Sequence, residues 1–243
     1  MARIVAVTNQ KGVVGKTTTC VNLAASLAAT RRRVLLVDMD PQGNATMGSG
    51  VEKRGLQASA TDVLLEEMHA PDAIVRAPEG YDLLPGNIDL TAAEFELMDE
   101  SGRELRLRRA LEPLRERYDF ILIDCPPALG LLTLNALTAS DSVLVPMQCE
   151  YYALEGLTAL LETIDALTAK LNPTLEVEGV LRTMFDVRNN LTNAVSAELV
   201  NHFGDKVFRT IVPRNVRLAG EVLRRQRERD KPQMKTEPAG TPA

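Results

Sequence analysis

Residues Asn9 to Thr19 read NQKGVVGKTTT, and the reading of this stretch decides the fold. Its end, Gly15-Lys16-Thr17, closes a phosphate-binding loop of the form G-x-x-x-x-G-K-[ST]. Counting back puts Gln10 where the first glycine belongs, so the match is incomplete. Context supplies what the pattern lacks. A β-branched run, RIVAVT (Arg3 to Thr8), precedes the loop, and a helical pattern from Lys16 to Ala29 follows it. Backbone N–H groups of Gly12, Val13, Val14, Gly15 and Lys16 then sit at a helix N-terminus, where they can ring a phosphate. In this reading Lys16 neutralises β- and γ-oxygens, Thr17 offers its hydroxyl to Mg²⁺ and Thr18 reaches an α-phosphate.

Outward from the loop, short apolar runs alternate with longer helical patterns. RVLLVD (Arg33 to Asp38), YDLLP, YDFILIDCPP, SVLVPM (Ser142 to Met147), EVEGVLRTMF and FRTIVP read as strands. Helical patterns cover Thr61 to Met68, Ala92 to Arg117 with a break at Ser101-Gly102, Ala153 to Leu171, and Leu191 to Phe203. Met39 to Gly50, MDPQGNATMGSG, reads as a glycine-rich polar loop. Continuous apolar strands separated by helices imply a single α/β domain. Its sheet is mostly parallel and doubly wound, with helices on both faces.

In such a sheet, ligands sit at the carboxyl ends of the strands. Two more loops leave those ends with suitable chemistry. VDMDPQGN carries Asp38 and Asp40 two residues apart, so their side chains share a direction while strand geometry persists. One is expected to hold Mg²⁺ through water and the other to orient an attacking water. ILIDCPP places Asp124 at a strand end, the usual second anchor of a Mg²⁺ shell, ahead of a stiff Cys125-Pro126-Pro127 loop. Three such loops in order point to a nucleoside triphosphate, ATP or GTP, with magnesium.

Bulk composition narrows the classes. The 243 residues, 45% hydrophobic and 25% charged, suit a soluble globular chain. No early apolar run is long enough for a signal sequence or a membrane span. Cys20, Cys125 and Cys149 show no metal-ligand spacing and are expected to be reduced and packed. The net charge is −5, yet Gly179 to Lys235 carries twelve Lys/Arg against six Asp/Glu, so this segment is +6 and the remainder −11. One basic face on an acidic body is the expectation.

Four stretches then carry a resemblance. KGVVGKTTT, LLVDMDPQGNAT, FILIDCPPALGLLTLNALTASDSVLVPMQCEYYALEG and IVPRNVRL together closely resemble the ParA/Soj chromosome- and plasmid-partitioning ATPases of the deviant Walker A class, related to MinD. The likeness runs from about Arg3 to Leu218. That family's loop is K-G-G-x-G-K-[ST], so no glycine is expected at position 10. The resemblance implies a P-loop ATPase domain over residues 1–218 and an ATP and Mg²⁺ requirement, with weak, partner-stimulated hydrolysis. It makes Lys11 the signature lysine, which reaches the partner's ATP phosphates in a nucleotide-sandwich homodimer. By the same resemblance Lys16 and Thr17 keep their roles, Asp40 polarises the hydrolytic water and Asp124 supports Mg²⁺. The base pocket maps near Thr183-Met184, Pro213 and Asn215. Arg188, Arg214 and Arg217 are the expected contacts to non-specific double-stranded DNA. The implied partner is a ParB-type centromere-binding protein, and the implied location is cytoplasmic and nucleoid-associated.

Two departures from the family stand out. Val13 replaces the second glycine, and a β-branched residue with positive φ there would be strained. After RNVRL the chain reads AGEVLRRQRERDKPQMKTEPAGTPA in place of the family's closing segment. Residues 219–243 therefore read as an atypical tail, basic and then proline-rich, partly disordered. The alternative function is a nucleotide-binding DNA- or partner-binding protein whose ATPase or dimerisation is impaired by Val13 and this end. A membrane-cycling relative would need an amphipathic C-terminal helix, and VLRRQRERDKPQM offers too few apolar residues.

Overall fold

The computed structural model describes residues 1–53 and 55–215. Arg217 and the tail at 219–243 lie outside these, and with them, Arg217 included, seven of the twelve Lys/Arg counted from Gly179 to Lys235. The chain divides into Met1–Pro213 and Arg214–Ala243, and in the second unit only Arg214 and Asn215 are described.

Eight strands form one sheet in the order β3-β4-β2-β5-β1-β6-β7-β8. They are β1 (Arg3–Val7), β2 (Val34–Asp38), β3 (Val75–Arg76), β4 (Asp82–Leu84), β5 (Phe120–Asp124), β6 (Ser142–Gln148), β7 (Glu176–Phe185) and β8 (Val207–Pro213). All neighbours are parallel except the short edge strand β3, which runs antiparallel to β4. The α-helices are α1 (Lys16–Ala29), α2 (Asn44–Gly48), α3 (Ala60–Leu64), α4 (Ala70–Ala73), α5 (Leu90–Glu96), α6 (Arg106–Leu111), α7 (Leu131–Ala139), α8 (Ala153–Lys170) and α9 (Asn190–Phe203).

Period-two geometry explains why the central strands are apolar throughout. Ile4, Ala6, Leu35, Val37, Ile121 and Ile123 enter one core cluster. Their alternates Val5, Val7, Val34, Leu36 and Leu122 enter the other. Both faces of the sheet are thus buried, as the continuous strand runs required.

The expected elements recur with small shifts, and the differences have physical causes. The helical stretch over 92–117 is interrupted at Gly102, whose φ of 70° is left-handed, and resumes as α6. Met39 to Gly50 is not all loop, because Asn44–Gly48 closes a short helix. The helix α7 went unread in the sequence. Seven of its nine residues are buried, so it has no polar face to mark a 3.6-residue period.

Candidate nucleotide-binding site

Register brings the three expected loops together. Val7 pairs with Asp124, and Asp38 pairs with the same Asp124 from the other side. The strand ends that launch the loops therefore lie side by side.

The first loop turns through left-handed backbone at Val13 (φ 60°) and Gly15 (φ 88°) before α1 begins. Positive φ at Gly15 has no steric cost, whereas at the β-branched Val13 it does. The side chain of Val13 is 88% exposed, so no packing repays that conformation. Val14 is buried, and its carbonyl accepts from the Thr183 hydroxyl at 2.7 Å.

The two lysines of the loop diverge. Lys16 is buried, and its ammonium donates to the carbonyls of Asn9 (3.0 Å) and Lys11 (3.2 Å). Burial lowers its pKa, opposed by the charges of Asp124 and Asp40. Lys11 lies on the exposed side and forms an ion pair with Glu150, which follows β6. Asn9 fixes the loop from within, accepting from the Lys11 amide at 2.9 Å and donating to the Pro146 carbonyl at 2.8 Å. Gly12 and Thr18 are exposed.

Asp124 is fully buried and accepts from the Thr17 hydroxyl at 2.7 Å and from the Cys20 thiol at 3.6 Å. Its pKa is raised, first by burial and then by the charge of Asp38. Burial also raises Asp38, opposed by hydrogen bonds from Thr46. Both the amide and the hydroxyl of Thr46 donate to Asp38 Oδ2 at 2.7 Å, and the Asp40 amide donates to Oδ1 at 3.2 Å. Gly86 completes this arrangement. Its amide donates to Thr46 Oγ1, and a Cβ built on it would stand 2.4 Å from the Asp38 carbonyl oxygen.

Asp38 and Asp40 take different hydrogen-bond partners. The strand stops at Asp38, so alternation ends there, and Asp40 instead accepts from the Gln42 amide at 2.9 Å. Asp40 is 8% exposed. Of the expected metal residues, Asp38 is thus tied into the fold, while Thr17 and Asp124 touch directly. No group of three or more His, Cys, Asp or Glu suited to a metal occurs among the described residues. The donors present are hard oxygens beside crowded buried carboxylates. That set fits Mg²⁺ shared with phosphate oxygens better than a cation caged by protein alone.

Of the residues expected to form the base pocket, Met184 has φ 48°, and its methyl lies 4.0 Å from a Cβ built on Gly15. Pro213 pairs in register with Phe185, next to Met184. Asn215 belongs to the second unit. Of the expected DNA contacts, Arg188 is exposed and its guanidinium forks onto Asp186, with both bonds at 2.9 Å. Arg214 is exposed and in the second unit, and Arg217 lies outside the described residues. Arg182, counted in the basic segment, is no surface charge. It is buried and bonds Ser196 Oγ and the Phe208 carbonyl. The three cysteines are free and buried. Sequence reasoning missed Asn9, Thr46, Gly86 and Glu150. Thr46 and Glu150 lay inside stretches that carried the family resemblance and Asn9 opened the quoted loop, whereas Gly86 had no signal.

A parallel sheet with a glycine-turned loop between β1 and α1, lysine-anchored and facing two buried aspartates, defines a P-loop nucleotide-binding protein. Residues 2–177 match a family model described as an AAA domain. Over 220 residues the chain is 54% identical to the sporulation initiation inhibitor protein Soj of Bacillus subtilis, covering 90% of this chain and 87% of that one. It is 53% identical to the chromosome partitioning protein ParA of Myxococcus xanthus, covering 90% and 78%. Among solved structures, cobyrinic acid a,c-diamide synthase from Mycobacterium smegmatis, with bound ATP analogue and magnesium, superposes with a TM-score of 0.85. That match has 42% identity over 92% of each chain. The chain belongs to the ParA/Soj family of partitioning ATPases.

Proposed function

We propose that this chain is an ATP-switched partition protein. It binds ATP with Mg²⁺, pairs with a second copy, holds DNA without sequence preference and releases it after slow, partner-stimulated hydrolysis. The observation that carries the reading is the divergence of Lys11 and Lys16 from one loop. Lys16 is buried toward the phosphate cradle of its own chain. Lys11 stands half-exposed on the outer side, where a second copy's phosphates can meet it once Glu150 lets go.

Each residue then has a task. Amides from Gly12 to Lys16 and the Thr18 hydroxyl bind phosphate oxygens, and Lys16 compensates their charge. Thr17 and Asp124 would hold Mg²⁺, with Asp40 on the neighbouring loop and Asp38 as the buried register partner of Asp124. Bound Mg²⁺ supplies charge neutralisation on the β- and γ-oxygens. Asp40, on a loop at the strand end, orients the attacking water. Met184 and Pro213 flank the base, with Asn215 as the third expected contact. Arg188, Arg214 and Arg217 contact DNA phosphates, and a ParB-type protein is the stimulating partner. This assigns the chain to the cytoplasm, on nucleoid DNA. No helix among the described residues is long and apolar enough to cross a membrane.

The left-handed Val13 favours a second reading, in which nucleotide binds but dimerisation or turnover is impaired. One experiment separates the two. DNA retention by the purified chain is measured with ATP, ADP or no nucleotide at two salt concentrations, with Lys16→Ala beside it. Retention that needs ATP, vanishes in Lys16→Ala and weakens with salt supports the first reading. ATP binding without ATP-dependent retention supports the second.

A further inference from the structure

At the opposite end of the sheet from the nucleotide loops lies a polar cavity of about 350 Å³. It opens where β2, β4 and β5 begin, and its lining includes five arginines, Arg31, Arg32, Arg33, Arg76 and Arg117. The carboxylate among the lining residues is Asp82, already engaged by Arg76 and by the Tyr118 hydroxyl. Arg33 is held by Asp119. Among the described residues no ion pair engages Arg31, Arg32 or Arg117.

Concentrating cations here runs against the rest of the molecule, since the chain outside the basic segment carries a net −11. It also costs backbone strain. Arg31 follows α1 with φ 65°, and its amide donates to the Ala28 carbonyl. That left-handed position after a helix is ordinarily filled by glycine or asparagine. The C-terminal dipole of α1 accounts for a fraction of one charge, far short of five guanidinium groups.

We propose that this cavity is a second anion site, for a compact ligand carrying two or more phosphate groups, separate from the nucleotide loops. Arginine forks match phosphate oxygens two at a time, and clustered forks favour a ligand with adjacent phosphates over a single small anion. The concave shape and modest volume suit a small molecule. A DNA backbone would instead be met by charges spread along a face. Arg33 and Arg76 are held by their carboxylates, and Arg31, Arg32 and Arg117, which no ion pair among the described residues engages, supply the further positive charge, that of Arg32 acting also on Asp119.

The test uses the full chain saturated with Mg·ADP, so that the nucleotide loop is filled, with Mg²⁺ in excess. Inorganic pyrophosphate is titrated in by calorimetry, and amide shifts of Arg31 to Val34 are followed by NMR. The wild-type chain is expected to bind pyrophosphate at one added site and to shift those amides. Arg32→Glu with Arg117→Glu should weaken that binding at least tenfold and leave ADP affinity unchanged. Arg108→Glu with Arg109→Glu, an equal charge change at exposed positions on α6, should leave both intact. The proposal is overturned if the wild type takes up no pyrophosphate, or if both double variants weaken it equally. Loss of duplex DNA retention in the Arg32/Arg117 variant without any pyrophosphate binding also overturns it, in favour of a nucleic-acid surface.

Discussion

Asp38 and Asp124 are register partners on the adjacent parallel strands β2 and β5, and both are fully buried. Two carboxylates so placed cannot both ionise cheaply: burial raises both pKa values, and the charge of Asp38 raises that of Asp124 further, well above the usual carboxylate range. Between an unfolded carboxylate value of about 4 and that raised value, the folded chain holds a proton that the unfolded chain has released. Stability of the ligand-free protein therefore falls as pH rises through this window, by at most about 1.4 kcal/mol per pH unit for one proton. Asp124→Asn removes the titration. Thermal unfolding between pH 5 and 8 should show a shallower decline for Asp124→Asn than for the wild type. Parallel declines would refute the coupling.

Val13 holds a left-handed conformation with its side chain in solvent. For a non-glycine residue this costs roughly 1–2 kcal/mol, part of which glycine's greater unfolded-state entropy offsets. Val13→Gly should raise the denaturant midpoint by a net gain of roughly 0.5–1 kcal/mol. If the strain also restrains the switch, the variant will reach ATP-dependent DNA retention faster. Equal rates with increased stability would confine Val13 to a local structural role.

Thr46 gives Asp38 two of its hydrogen bonds and accepts one from Gly86. Thr46→Val keeps the shape but removes the hydroxyl, leaving a buried carboxylate and a buried amide each short of a partner. A loss of about 2–3 kcal/mol is expected in chemical denaturation. Gly86→Ala tests the same junction by volume, because the new Cβ meets backbone that must shift. A neutral result for both would show that Asp38 does not depend on this support.

Arg188 is fully in solvent yet folded back onto Asp186. If Arg188 contacts phosphate, Asp186 competes for its guanidinium, so Asp186→Asn should strengthen DNA retention at a given salt concentration. Arg188→Ala should weaken it and reduce the salt slope by about one contact per chain. Unchanged retention in both variants would remove Arg188 from the interface.

The sequence by itself determined the sheet and the identity of the loops that converge. Continuous apolar runs require burial on both faces, and a lysine-threonine pair between a strand and a helix can serve phosphate only at a strand end. It named Lys16, Thr17 and Asp124 because their chemistry is tied to local position. What it could not reach depends on contacts far along the chain. α7 was hidden because a helix buried all round has no periodic signal. The pairing of Asp38 with Thr46 and Gly86 depends on where β2 stops and which loop lies beneath it. Arg182 counted as surface charge until the fold turned it toward Ser196. The five-arginine cavity was invisible for the same reason. Its members lie as far apart as Arg31 and Arg117, and only parallel strands starting side by side bring them together.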